Sequence, residues 1–390
     1  MKSTCVVLPL AFSFLLLSSL SSAHNKTHKS SSSSSSSSSS LHSSYKGCFS
    51  NVYAFGDSYT DTGNAHFLGT LPSFTGSKNS PYSTNRLSDG RLVVDFLCDA
   101  LALPPLPPYK ATTTLNSTSG VNFALAGSTT LSNDFFANYK FGDFPLWKDV
   151  PLNIQTQIDW FNRFHTGIEC KGKDAGACRA KMENTLFWIG EIGVSDYAIN
   201  IGSSVSARYL TEKTVTNVCK LIQTLLDNGA TYIVVQGLPP VGCFPLAVSA
   251  CPLVQMSKAG CDAIVNSMIM IHNEMLEKNL EKFQKRYPDR TIIYADFWNA
   301  YLTVLMNPPK FGFEDPFKAC CGAGGGKYNF NSHSLCGSPG TSTCKDPSKY
   351  ISWDGIHLTE AMYKQVADLF LNQGFCRPSF DQMVKNKSGI

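Results

Sequence analysis

Short apolar runs recur along the chain between longer stretches of helical spacing. They cover residues 52–55, 186–189, 232–236 and 292–295, and each is closed by Gly or Asp. Such brief, nearly continuous hydrophobicity is how a parallel strand buried on both faces reads. Between the runs, residues 215–228 and 261–287 predict helices ended by Gly229 and Pro288, and a last helix is expected over about 359–373. Pro- and Gly-rich stretches at 103–108 and 322–326 read as loops. The alternation predicts an α/β fold, a mostly parallel, doubly wound sheet covered by helices.

The pattern changes at the amino terminus. Lys2, an apolar core over 6–17 and then Ser21, Ser22 and Ala23 read as a secretory signal over 1–23. That apolar core is shorter than the roughly 20 residues of a spanning helix, and no later segment predicts a transmembrane anchor. Residues 24–47, dominated by unbroken serines from Ser30 to Ser40, lack the apolar surface to fold and predict a disordered leader. One domain is then expected over 48–380, with a tail over 381–390. The 390 residues, 43% hydrophobic, suffice for a substantial core. A net charge of +4 with dispersed basic residues argues against a nucleic-acid partner.

Cysteine usage agrees with secretion to an extracellular (or vacuolar) compartment. Of 14 cysteines, removal of Cys5 with the signal leaves 14 − 1 = 13. Cys243, Cys251 and Cys261, then Cys320, Cys321, Cys336 and Cys344, point to local disulfides rather than metal ligands, with connectivity open. An odd count leaves a thiol unpaired within the chain, and Cys98 is the candidate. Sequons at Asn25, Asn116 and Asn386 are compatible with N-glycosylation.

The candidate chemistry lies at two distant points. FGDSYTDTGN, residues 55–64, follows the first apolar run and puts Ser58 on a turn at the carboxyl edge of the sheet, where open α/β sheets keep their reactive groups. SWDGIHLTE, residues 352–360, sets Asp354 three residues before His357. A serine hydroxyl needs a base, and a base needs an orienting carboxylate. Asp354 on Nδ1 of His357 leaves Nε2 to take the Ser58 proton. The bland readings are an N-cap aspartate and a solvated loop histidine; the shared setting with Trp353, Gly355 and the Gly-Asp-Ser turn favours chemistry. His66, His165, His272 and His333 have no comparable carboxylate beside them and read as surface or packing residues. No G-x-S-x-G elbow and no H-E-x-x-H occurs. CCGAGGGKY fails as a phosphate loop, because Cys321 and Tyr328 stand where Gly and Ser/Thr are required.

The two blocks resemble the first and last blocks of the plant GDSL esterase/lipase family, within the SGNH hydrolase superfamily. VNFALAGST around Gly127, FWIGEIGVSDY from Phe187 to Tyr197, VVQGLPPVGCFP and CCGAGGGKYNFN also match in order, so the resemblance covers roughly 48–377. It implies a three-layer, flavodoxin-like α/β/α fold and a triad of Ser58, His357 and Asp354. It also implies an oxyanion hole from the amides of Ser58 and Gly127 and a side-chain amide of the third block. There the chain departs, with Gly193-Val194-Ser195-Asp196 where the family usually has Gly-x-Asn-Asp; Ser195 is expected to donate in its place. The expected activity is cleavage of small-molecule or lipid esters through an acyl-enzyme, with no metal or organic cofactor. The alternatives are acyl transfer to a hydroxyl and an impaired secreted binding glycoprotein. The natural ester depends on loops such as 70–85 and 131–149, and neither it nor the oligomeric state is legible.

Overall fold

The computed structural model describes residues 45–70, 82, 85–111, 119–137, 152–199, 205–250 and 256–388. All fall in one compact unit. Residues 1–23 and 24–44, where a secretory signal and most of a disordered leader are expected, lie outside the described residues. So do Asn25, Asn116, Cys251 and most of the loops 70–85 and 131–149.

In the main sheet of the described residues, five strands pair in parallel: β1 (Asn51–Phe55), β2 (Gly120–Asn122), β3 (Thr185–Ile189), β4 (Tyr232–Gln236) and β5 (Thr291–Ala295). A sixth, β6 (Cys376–Arg377), runs antiparallel to β5. The strand order is β6-β5-β4-β3-β1-β2. Each parallel strand is apolar throughout because successive side chains enter opposite cores. Val52 and Ala54 of β1, Leu186 and Trp188 of β3, and Ile293 and Ala295 of β5 face one core. Tyr53 and Phe55, Phe187 and Ile189, and Ile292 and Tyr294 face the other.

Helices α1 (Val93–Leu101), α5 (Phe297–Leu305), α6 (Glu360–Asn372) and α7 (Phe380–Ser388) close the first core. Helices α2 (Ile154–Phe164), α3 (Ala207–Asp227) and α4 (Ala263–Arg286) close the second, α4 through Leu276 and Leu280. The result is the expected three-layer α/β/α architecture around a mostly parallel, doubly wound sheet. Its order reverses at β1, with β2 on one side and β3 on the other. The loops leaving β1 and β3 therefore diverge and open a crevice at the carboxyl edge.

The four predicted strands and three predicted helices are present, β4 with the expected ends and the others with shifted ones. Helix α3 starts eight residues before position 215, capped by Ser206, whose Oγ accepts the Tyr209 amide at 3.3 Å. Its first two turns are largely exposed and polar, so no apolar period announces them. Strands β2 and β6 are three and two residues long, too short for a period-two signal. The packing also exceeds the limits 48–380. Tyr45 is buried at one end, and Phe380, Met383 and Val384 of α7 at the other. No helix among the described residues is long and apolar enough to cross a membrane.

Candidate active site

Ser58 follows β1 in a tight buried turn. The Thr60 and Asp61 amides both donate to the Asp57 carbonyl, at 3.1 and 2.9 Å, and the Tyr59 amide donates to Asp57 Oδ1 at 3.1 Å. Gly56, with φ at +140°, lets the chain double back. The Gln157 side chain of α2 clamps the Gly56 peptide from both sides, accepting its N–H at 3.0 Å and donating to its carbonyl at 2.8 Å. Ser58 itself is 8% exposed.

Asp354 and His357 lie on the loop between the short strand Tyr350–Ser352 and α6. Asp354 Oδ1 accepts the amides of Ile356 (2.9 Å) and His357 (2.6 Å), an Asx-type turn that shapes the loop. Asp354 Oδ2 meets His357 Nδ1 at 2.6 Å and accepts the Tyr82 hydroxyl at 2.8 Å. Burial pushes the Asp354 carboxyl up, but the His357 ring and the two amides outweigh it and hold it below its ordinary range. An accepting carboxylate fixes the Nδ1–H tautomer and leaves Nε2 with its lone pair. Gly355 is required here: its φ is +93°, and a Cβ would lie 2.1 Å from the Phe330 ring.

The loop reaches the serine turn through Tyr59. Its hydroxyl donates to the Ile356 carbonyl at 2.5 Å, and its ring lies 5.5 Å from that of His357. The predicted trio is thus gathered at one place, with Asp354 and His357 joined directly. Among the described residues, Ser58 Oγ makes no direct hydrogen bond to His357. Such contacts commonly tighten only around a bound substrate.

Gly127, at φ +75°, sits in the loop after β2, and the 4% exposed Ser195 in the short helix Val194–Ile199 after β3. Carboxylates bind these loops together. Asp61 accepts the amides of Gly63 (2.7 Å), Asn64 (2.6 Å), Ala65 (3.0 Å) and Ala126 (2.9 Å). Asp196, next to Ser195, accepts from the Thr130 amide (2.8 Å), the Thr130 hydroxyl (3.0 Å) and the Leu131 amide (2.9 Å). Gln157 Nε2 also reaches Ser128 Oγ at 3.0 Å. Sequence reasoning missed Tyr82, Gln157 and Glu191, the last a buried acid between Gly190 and Ile192 in the third block. Only Glu191 had a signal, as a charge directly behind an apolar strand.

The other expectations sort cleanly. His272 is buried, meets the Tyr197 hydroxyl through Nδ1 at 2.9 Å, and is pushed down to about 3 by burial. His165 packs on Phe161, while His66 and His333 are exposed. Disulfides join Cys243 to Cys261, Cys320 to Cys344 and Cys321 to Cys336, and a fourth joins Cys170 to Cys178. Cys98 is a free buried thiol, as are Cys48, Cys219 and Cys376 free. CCGAGGGKY is a cystine-bounded turn, with positive φ at Gly324, Gly325 and Gly326.

A doubly wound sheet with a serine turn at its switch point, beside an aspartate–histidine couple, is the class of architecture that carries nucleophilic hydrolase chemistry. Comparison with known proteins narrows the class. Residues 52–370 match the family model described as GDSL-like Lipase/Acylhydrolase. A GDSL esterase/lipase of Arabidopsis thaliana is 41% identical over 354 residues, covering 87% of this chain and 90% of that protein. Two more from the same plant are 34% and 35% identical, covering 85% and 86% of this chain and 93% and 86% of theirs. The chain belongs to this GDSL esterase/lipase family and is a carboxylic ester hydrolase.

Proposed function

We propose that the protein is a secreted serine esterase whose Ser58 attacks the ester carbonyl. His357 Nε2 takes the Ser58 proton and returns it to the leaving alcohol, and Asp354 orients the imidazole and offsets its charge. Water, activated by the same imidazole, then releases the acid from the acyl-enzyme. The observation carrying this reading is the buried 2.6 Å contact between Asp354 and His357, beside the Ser58 turn at the β1/β3 switch point. The amides of Ser58 and Gly127 and the Ser195 hydroxyl serve as oxyanion donors. The ties from Asp61, Asp196 and Gln157 support that convergence. Ser195 has one donor hydrogen where an asparagine amide has two, and it donates to the oxyanion directly. The signal-like segment 1–23 and the disulfides support secretion, and the exposed Asn386 supports glycosylation.

A serine-reactive fluorophosphonate tests the nucleophile. Wild-type protein labels and S58A does not; folded wild-type protein that fails to label in a Ser58-dependent way overturns the reading. In the same preparation S195A loses about 10²-fold in ester turnover, the scale of one oxyanion donor.

A further inference from the structure

Glu191 is the buried group for which the proposed chemistry has no use. It directly follows Gly190, the first residue after β3, and its side chain is fully enclosed. Neither carboxyl oxygen has a hydrogen-bond partner of ordinary geometry among the described residues, although the Val194 amide lies near enough to favour the ionised form. Facing it, within hydrogen-bonding reach, is the carboxyl of Asp57, itself 1% exposed. Two ionised carboxylates in contact away from water repel, with burial opposing both charges. A carboxylic acid against a carboxylate is instead one donor and one acceptor. Asp57 holds the charge: its Oδ1 already accepts the Tyr59 amide, and His357 draws it towards the ionised form.

The backbone keeps the pair in register. The Asp57 amide donates to the Glu191 carbonyl at 3.3 Å, and the Gly190 amide to the Phe55 carbonyl at 2.8 Å. The Glu191 amide donates to Gln236 Oε1 at 3.2 Å, which anchors the loop to β4. The turns after β1 and β3 are therefore pressed together at the point where the sheet order reverses.

We propose that Glu191 is a positioning residue held as the protonated acid, sharing its proton with Asp57 and so tying the turn of Ser58 to the loop of Ser195. Its effect on catalysis rests on Ser58 being the nucleophile; the location of the proton does not. Other ionisable groups surround the pair. Asp61 acts on Asp57 from the same turn, Asp196 on Glu191 from the short helix, and His357 on Asp57 from its own loop. The phenols of Tyr59 and of Tyr363 on α6 complete the enclosure. Burial first, then the Asp57 charge, drive Glu191 well above the carboxylate range, and burial takes Asp57 up to about 6. The unfolded chain releases the Glu191 proton near about 4.3, while the folded chain keeps it. The contribution of such a raised group is complete below the unfolded value and is lost as pH rises towards the folded one.

The test compares wild type with E191Q and E191A by thermal unfolding and by ester hydrolysis, from pH 5 to pH 9. The glutamine amide donates to Asp57 without a titrating proton. The melting temperature of E191Q therefore falls less steeply with pH than that of wild type, so that the variant gains on it in alkali. E191A lowers kcat about 10-fold or more at near-constant KM, and E191Q recovers most of that loss. Parallel melting curves for E191Q and wild type overturn the protonated acid. Wild-type kcat in E191A overturns the positioning role. If E191A does not fold, D57N replaces it: the Glu191 proton loses its charged acceptor while burial still keeps it on the acid, so the melting curve stays steeper with pH than that of E191Q and kcat falls; a wild-type kcat in D57N overturns the positioning role. Failure of Ser58-dependent labelling removes the nucleophile but leaves the melting comparison valid.

Discussion

Asp354 Oδ2 is shared by two donors, the Nδ1–H of His357 at 2.6 Å and the hydroxyl of Tyr82 at 2.8 Å. Burial, then the Asp354 charge, hold the Tyr82 phenol well above its ordinary range, so it stays a donor across the working pH. Its hydrogen bond steadies the carboxylate that orients the imidazole. Y82F removes that donor, and kcat at neutral pH falls about 3–10-fold at near-constant KM, on the scale of one hydrogen bond to a charged group. A kcat unchanged in Y82F removes Tyr82 from this role. Asp354 and His357 were legible because they are neighbours in sequence, and a loop three residues long fixes their geometry. Tyr82 lies 272 residues from Asp354, and Gln157 lies 101 from Gly56. Contacts of that separation leave no local spacing to read.

At the scale of elements, the Asp354–His357 loop rests on the cystine-bounded segment rather than on the main sheet. The Cys320 amide donates to the Ser352 carbonyl at 3.0 Å and the Cys321 amide to the Trp353 carbonyl at 2.6 Å. Cys320, Cys321, Cys336 and Trp353 form a small core of their own. The Cys321–Cys336 bridge spans 15 residues, worth about 3 kcal/mol by the loop-entropy account. Replacing both cysteines by serine costs about that stability and slows fluorophosphonate labelling of Ser58, because the base loses its footing. The Cys170–Cys178 bridge precedes the amino end of β3, and its double-serine variant keeps the wild-type labelling rate. Equal labelling in both variants overturns the buttress. The cysteines announced local bridges, while their pairing depended on backbone paths that spacing does not encode. Strands β1, β3, β4 and β5 were legible for the opposite reason: burial on both faces makes each a continuous apolar run.

For the whole molecule, the division of labour follows the two edges of the sheet. The carboxyl edge carries Ser58, Gly127 and Ser195, on loops that charged and amide side chains bind together. The amino edge is closed partly by α7, which the sequence pattern had set aside as a tail over 381–390. That segment is short, carries Lys385 and Lys387, and contributes only Met383 and Val384 to the core beyond Phe380, so its composition resembles a solvated end. In the folded chain, Lys387 donates to Asn184 Oδ1 at 2.7 Å, and its ammonium lies 5.3 and 5.0 Å from the ring centroids of Phe49 and Tyr232. Those partners stand at the starts of β1, β3 and β4, opposite the candidate site. Deleting 381–390 uncovers Met383's and Val384's places in the first core, at about 1.5–3 kcal/mol for each side chain as an upper bound. The melting temperature drops by several degrees, while kcat and the Ser58 labelling rate at 25 °C stay at wild-type values. A loss of kcat in folded, truncated protein would mean that the amino edge is coupled to the site, and stability and chemistry would then not divide between the two edges of this sheet.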